Sequence, residues 1–220
     1  MGFRHEAAAG VPGRVGPGRP RRYGEAEELE VIFEGAFRAV RRKGYAEVTV
    51  ADVLAEAGVA RRSFYRHFGS KDELIAAMFR REAERFTAAV TRAVRAAATP
   101  GEALVTWVDE ILALALSPSK ARRAQVFASP DAAQRHSADD HQRTYGPLIA
   151  LLAETLREGA ADGTFPAARP EPDARLVSAA TWETLAALRD EADAEVQQGK
   201  RADLLSFVRR ALGVAEGTGR

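Results

Sequence analysis

Apolar residues recur at steps of three and four along most of the chain, which is the spacing of one face of a helix. Between residues 26 and 43 the apolar stripe begins at Leu29 and continues through Ile32 and Phe33 to Val40. Gly44 follows a basic last turn, and both features favour the end of a helix. We find no stretch with the alternation of a strand. The pattern therefore predicts an all-α protein with about nine helices.

Two short helices, over residues 49–58 and 60–68, are predicted on either side of a tight turn. Thr49 and Asp52 form a T-x-x-D capping pair at the start of the first helix. The apolar positions fit a helix-turn-helix, in which the first helix braces the second. These positions are Val53, Leu54, Val59, Phe64 and Phe68.

Further helices are predicted over the rest of the chain, with glycine and proline residues between them. A capping pair of Ser70 and Glu73 precedes the longest of them. Their predicted ranges are 71–97, 102–116, 119–128, 131–161, 173–196 and 200–213. Gly146-Pro147 lies inside the fourth of these ranges, and we expect it to kink or to break that helix.

Composition narrows the class of protein. The chain has 220 residues, of which 29% are charged and none is cysteine, so disulfides and thiolate metal sites are excluded. No apolar run approaches the ~18 residues that a membrane helix needs. The N-terminal residues lack the apolar segment of a signal peptide. We therefore expect a soluble, cytoplasmic protein that makes no membrane contact.

Charge is unevenly distributed. Residues 1–22 contain five arginines and one acid, whereas the whole chain has a net charge of +1. Three of these arginines, Arg19, Arg21 and Arg22, stand in the segment GPGRPRRYG, residues 16–24. This segment is either a disordered leader or an arm that contacts a polyanion.

The second short helix has an outer face with no acid. Its polar residues are Arg61, Arg62, Ser63, Tyr65, Arg66 and His67. Arginine makes paired hydrogen bonds to guanine, and serine, tyrosine and histidine can bind phosphate. The alternative is an ordinary solvated helix, although such helices usually mix charge signs. The pattern favours a helix that enters the major groove of DNA.

Residues 30–75 resemble the N-terminal DNA-binding domain of TetR-family transcriptional regulators. The motifs that carry the resemblance are KGY (43–45), TVADVLAEAGVARRSFYRHF (49–68) and SKDEL (70–74). Ala60 departs from the pattern, since the family often has Ser or Thr there. The remaining two-thirds of the chain is similar to the family only in its helical content and its length.

The resemblance implies three parts: a basic arm (1–24), a helix-turn-helix DNA-binding domain (25–72) and a ligand-binding and dimerisation domain (73–220). It also implies roles for single residues. Thr49 would cap its helix and touch phosphate. Arg61, Arg62 and Ser63 would face base edges, and Tyr65, His67 and Lys71 would contact phosphates. Beside this domain, the GRP of the arm resembles an AT-hook, which implies that Arg19, Arg21 and Arg22 enter an A·T-rich minor groove.

The larger C-terminal part is expected to hold a small-molecule effector among its helices, as helical bundles often do. Candidate lining residues are Trp107, Phe127, Tyr145, Phe165 and Trp182, although each of them also suits an ordinary core. No charged cluster stands on an apolar face, which favours an apolar or aromatic effector. The resemblance implies a homodimer through the last two helices, 173–196 and 200–213.

Catalytic and metal-binding motifs are missing from the sequence. His136 and His141 are five residues apart, so they would lie on different faces of a helix and would not share a metal. No nucleophile elbow, phosphate loop or dinucleotide fingerprint is present, so we expect neither a cofactor nor an enzyme. The resemblance implies a repressor that binds a palindromic operator as a homodimer and is released by an effector. The alternative is a helical small-molecule-binding protein whose DNA head is vestigial.

Overall fold

A computed structural model describes residues 24–44, 46–117 and 138–214, and the side chains from residue 145 onwards within the last range. These residues form eight α-helices and no strand, which confirms the predicted all-α class. In chain order the helices are α1 (Glu25–Lys43), α2 (Val50–Ala57), α3 (Arg61–His67), α4 (Lys71–Arg95), α5 (Pro100–Leu116), α6 (Ala138–Asp162), α7 (Pro170–Arg189) and α8 (Ala194–Ala211). The helix predicted over 119–128 lies outside the described residues.

Local signals fix the ends of the N-terminal helices. The hydroxyl of Thr49 accepts a hydrogen bond from the backbone N–H of Asp52, and the Asp52 carboxylate accepts one from the N–H of Thr49. This confirms the capping box at the start of α2. Gly58 ends α2 with a φ of 65°, in the left-handed region that favours glycine. The turn from α2 into α3 is therefore set by the sequence itself.

Gly35 allows α1 and α2 to approach closely. A Cβ on Gly35 would stand 2.6 Å from the Cβ of Ala57 and 2.7 Å from its backbone nitrogen. Charged side chains close the same contact: Nη2 of Arg38 donates to the carbonyl of Glu56 over 2.7 Å, and Nζ of Lys43 lies 2.7 Å from Oδ1 of Asp52. The second helix is thus held tightly along the first.

Buried side chains form two clusters, and α4 contributes to both. The N-terminal cluster ends with Leu74, Ile75 and Met78 of α4, whereas the C-terminal cluster begins with Val90 and Val94. The N-terminal cluster also draws on α1, α2 and α3. In the C-terminal cluster α5 lies centrally, in contact with α4, α6 and α7. One continuous helix therefore links the two cores.

Helix α6 runs from residue 138 to residue 162 without a break, with Pro147 inside it. Gly146-Pro147 therefore does not break this helix. The prediction of a break near residues 197–199 was wrong, because α7 ends at Arg189 and α8 begins at Ala194. The carboxylate of Asp193 accepts hydrogen bonds from the N–H groups of Glu195 and Val196, so the cap stands earlier than the sequence pattern suggested.

None of the helices in the described ranges is long and apolar enough to span a bilayer.

Candidate nucleic-acid interface

Arg61, Arg62 and Tyr65 form the outward face of α3. All three are exposed, and Tyr65 keeps 45% of its surface accessible. The guanidinium of Arg61 stands 5.4 Å from the centroid of the Tyr65 ring, and its Nη2 lies 3.4 Å from the tyrosine hydroxyl. This stacking orients Arg61 before any ligand binds. We call these three residues the outward trio.

The opposite side of α3 faces the protein. Phe64 is fully buried and Phe68, just after the helix, is almost so, which confirms that both are core residues. The ring of Phe68 packs edge-on against Phe33 of α1, with centroids 5.7 Å apart. These aromatic contacts fix how far α3 stands from α1.

The carboxylate of Glu28, in α1, contacts three polar side chains of α3. Nε2 of His67 lies 3.0 Å from Oε2 of Glu28, and the guanidinium of Arg66 pairs with the same oxygen. Ser63 donates a third hydrogen bond to this carboxylate. The Glu28 side chain is only 12% exposed and that of His67 only 6%. We call Glu28, Ser63, Arg66 and His67 the Glu28 cluster.

Electrostatics keep Glu28 ionised despite its burial. Burial raises the pKa of its carboxyl, but the hydrogen bonds from His67, Ser63 and Arg66 outweigh that effect and lower its pKa from 4.5 to about 2. Three hydrogen-bond donors therefore compensate the buried charge of Glu28. The sequence analysis did not select Glu28. The sequence did contain a signal for its burial, because Glu28 stands four residues before Ile32 on the face of α1 that carries the buried apolar residues.

The sequence-predicted contacts of α3 therefore divide into two groups. Arg61, Arg62 and Tyr65 point outwards, whereas Ser63 and His67 turn towards Glu28. At about 100° per residue, these two groups lie on opposite sides of the helix. No acid stands in the outward trio.

Thr49 and Lys71 lie at the starts of α2 and α4. The Thr49 hydroxyl donates to Oδ2 of Asp52 over 2.7 Å. Hydrogen bonds from Lys43 and then from Thr49 hold the pKa of Asp52 well below its usual range. Lys71 is the first residue of α4, directly after the capping Ser70, whose hydroxyl accepts from the N–H of Glu73. The Glu73 carboxylate in turn accepts from the N–H of Gly69.

Two of the predicted effector-lining residues form a pair. The rings of Tyr145 and Trp182 meet edge to face with centroids 4.7 Å apart, and both are half-buried. Burial raises the pKa of the Tyr145 hydroxyl. Trp107 is instead fully buried, and its indole N–H donates to the carbonyl of Leu148 over 2.9 Å. Phe165 is also buried, beside Gly159.

Four predicted site residues, Arg19, Arg21, Arg22 and Phe127, lie outside the described residues, as does His136.

A cavity of about 210 Å³ opens elsewhere, between the end of α4, the start of α5 and α6. Its polar lining includes Arg95, Thr99, Glu154 and Glu158, and it contains none of the predicted lining residues. In the part of the chain that the structure describes, no group of three or more His, Cys, Asp or Glu residues could hold a metal ion.

Comparison with known proteins agrees with this geometry. Residues 32–78 match the model for bacterial regulatory proteins of the tetR family. The chain is 44% identical over 55 residues to the HTH-type transcriptional regulator TtgR of Pseudomonas putida. It is 34% identical over 71 residues to the HTH-type transcriptional regulator BetI of Brucella canis. These matches cover 24% and 32% of this chain, and only 26% of TtgR and 36% of BetI.

The whole fold has counterparts among solved structures. A TetR transcription regulator from Haloarcula marismortui superposes with a TM-score of 0.70 at 19% identity, covering 84% of this chain and 98% of that one. At such low identity the similarity concerns the fold alone. The N-terminal match and the fold agree in placing a helix-turn-helix of the tetR type in the first part of the chain. Over residues 32–78 the chain is similar to bacterial regulatory proteins of the tetR family. The proteins it resembles are all transcriptional regulators, a non-enzymatic class.

Proposed function

We propose that this protein is a homodimeric transcriptional repressor that binds a palindromic operator and is released from it by a small-molecule effector. The observation that carries the proposal is the outward trio: two exposed arginines and an exposed tyrosine on one side of a short helix. In a helix-turn-helix the second helix enters the major groove, and this side of α3 would meet the base edges. We also propose that the protein acts in the cytoplasm.

The DNA contacts follow from the exposure of each residue. Arg61 and Arg62 would read bases, where an arginine can bond to O6 and N7 of guanine. Tyr65, Thr49 and Lys71 would contact phosphates, with Lys71 aided by the N-terminus of α4. We assign Ser63 and His67 to the Glu28 cluster and not to DNA. The DNA-binding domain would extend through Met78, since the first turns of α4 complete its core.

The arm would add contacts in the neighbouring minor groove. Arg19, Arg21 and Arg22 stand shortly before α1, within reach of the groove next to the one that α3 occupies. Their GRP context suits a narrow, A·T-rich groove. The arm would therefore raise affinity and add a preference for A·T pairs beside each half-site.

Dimerisation through α7 and α8 is supported by large apolar side chains on their outer faces. Leu176 of α7 is 61% exposed and Phe207 of α8 is 52% exposed. A second subunit packed against these faces would cover both side chains. A two-fold dimer presents two copies of α3, which doubles the length of DNA that is read.

An effector would release the protein from DNA only if it binds one conformation more tightly than the DNA-binding conformation. In that conformation the two DNA-binding domains of the dimer are misplaced relative to the operator. Helix α4 belongs to both cores, so a ligand among the C-terminal helices can bias the position of the head through it. The half-buried pair Tyr145–Trp182 would offer an aromatic wall to an apolar or aromatic ligand. A native mass spectrum of the purified protein would test for a retained small molecule.

A mobility-shift titration with the DNA that flanks the protein's own gene tests the proposal. Wild-type protein should bind at low salt and lose affinity steeply as salt rises. The double variant Arg61→Ala/Arg62→Ala should bind much more weakly. Arg92→Ala/Arg209→Ala is the matched control, because it removes the same charge from exposed positions in the C-terminal part and should bind like wild type. Failure to bind any duplex at low salt would instead support a vestigial head.

A further inference from the structure

We propose that Glu28 is a selectivity residue: it holds Arg66 and His67 away from DNA, so that α3 meets the duplex with the outward trio alone. This inference rests on the proposed function of α3 and adds a positioning role for a residue of α1. It concerns how tightly the protein binds DNA of any sequence, relative to its operator.

Charge is the first part of the argument. The seven residues of α3 include three arginines and a histidine. Each cation that reaches a phosphate strengthens binding to every duplex, because it releases counterions whatever the sequence. Discrimination between duplexes comes from contacts to base edges and from the shape of the DNA, not from phosphate contacts. A short helix with three arginines free to reach phosphates would bind all DNA well and would discriminate poorly between sequences.

Geometry is the second part. Ser63, Arg66 and His67 are spaced three and four apart, so they share one side of α3; Ser63 and His67 face away from the outward trio, and Arg66 lies at the border beside Arg62. All three converge on the carboxylate of Glu28. His67 is nearly buried there, which already prevents its contact with a phosphate. Arg66 is the more mobile candidate, since its side chain is 39% exposed.

Desolvation is the third part. The Glu28 side chain is 12% exposed, so the departure of Arg66 would leave a buried carboxylate with one fewer donor. A phosphate at the rim of the interface offers Arg66 a solvated, screened partner in exchange. Glu28 is therefore a more favourable partner for Arg66 than a phosphate is, and Arg66 stays with Glu28 when DNA binds.

The slope of log Kobs against log salt, measured on a random-sequence duplex with full-length protein, counts the phosphate contacts. Arg66→Gln should keep the wild-type slope, whereas Lys71→Gln should flatten it by about one, as expected for a lost phosphate contact. Glu28→Gln should steepen the slope by about one, because it frees Arg66. The double variant Glu28→Gln/Arg66→Gln should return to the wild-type slope.

The outcomes separate this inference from the proposed function. If Arg66→Gln flattens the slope as Lys71→Gln does, Arg66 already contacts phosphate and the inference is overturned. If Glu28→Gln does not fold, Arg66→Gln still decides, since that variant keeps the buried carboxylate and its other donors. Absence of salt-dependent binding by wild-type protein would instead contradict the proposed function itself.

Discussion

The carboxylate of Glu28 and the imidazole of His67 lie 3.0 Å apart, although 39 residues separate them in the chain. This contact ties the first helix directly to the third. Together with Ser63 and Arg66, it divides α3 into a side bound by Glu28 and a side open to solvent. The fold thereby decides which basic residues of the helix remain available for recognition.

The Glu28 cluster should make stability depend on pH in the acid range. Glu28 titrates near 4.5 in the unfolded chain but has a pKa of about 2 in the folded protein. Its contribution to the free energy of unfolding is therefore fully present above pH 4.5 and is lost as the pH falls towards 2. The contribution is at most about 3.5 kcal/mol, from roughly 1.4 kcal/mol per pKa unit.

Thermal unfolding of wild type and Glu28→Gln, followed by circular dichroism across this range, checks the prediction. Wild type should melt at the higher temperature at neutral pH, and the two melting temperatures should converge in acid. A constant difference at every pH would show that the Glu28 charge does not stabilise the fold.

Gly35→Ala should destabilise the N-terminal core, because its new Cβ would overlap the backbone and the Cβ of Ala57. Overpacking of this kind typically costs about 1–3 kcal/mol. Gly199→Ala is the matched control: this helical glycine has no atom within 4 Å of the added Cβ, so the change should stabilise α8 by roughly 0.5–1 kcal/mol. Urea denaturation of both variants measures the two effects, and equal shifts for the pair would contradict the close α1–α2 contact.

The dimer should dissociate when its apolar faces are charged. Leu176→Glu/Phe207→Glu places a carboxylate on the outer face of each C-terminal helix. Sedimentation velocity should then show a monomer, because an unpaired charge buried in an interface costs more than the interface gains. Ala88→Glu/Ala160→Glu, at exposed positions of α4 and α6, adds the same charge and should leave the dimer intact. If the Leu176→Glu/Phe207→Glu variant remains a dimer, the two subunits meet through another surface.

Deletion of residues 1–22 should weaken operator binding and flatten its dependence on salt. The segment carries five arginines, so its loss removes up to that many phosphate contacts. Fluorescence anisotropy with an operator duplex at several salt concentrations measures both quantities. Unchanged affinity would mean that the segment is a leader without a role in DNA binding.

Local signals in the sequence were sufficient for most of the N-terminal part. The capping pair of Thr49 and Asp52, the left-handed Gly58 and the apolar spacing of α1 each act within a few residues, so the pattern predicted α1, α2 and α3 to within one residue at either end. The family resemblance over residues 30–75 agrees with the match of residues 32–78 to the tetR family.

Long-range contacts were the part that the sequence did not reveal. The outer face of α3 was predicted from the residue types of the helix and from the family resemblance, and neither shows that Glu28 approaches from another helix to bind Ser63, Arg66 and His67. The boundary between α7 and α8 was misplaced for a local reason. Gly199 suggested a break, but the Asp193 cap and a hydrogen bond from the Gln197 amide to the carbonyl of Glu191 start α8 earlier.

The central claim is that Arg61 and Arg62 read bases. It is tested most directly by the ratio of dissociation constants for a random duplex and for a duplex selected from a random library by the wild-type protein. An arginine bonded to guanine contributes roughly 1–3 kcal/mol of discrimination. Arg61→Ala and Arg62→Ala should therefore each lower the ratio at least about fivefold at fixed salt. A ratio that stays at the wild-type value in both variants would contradict the assignment of α3 as the helix that reads DNA.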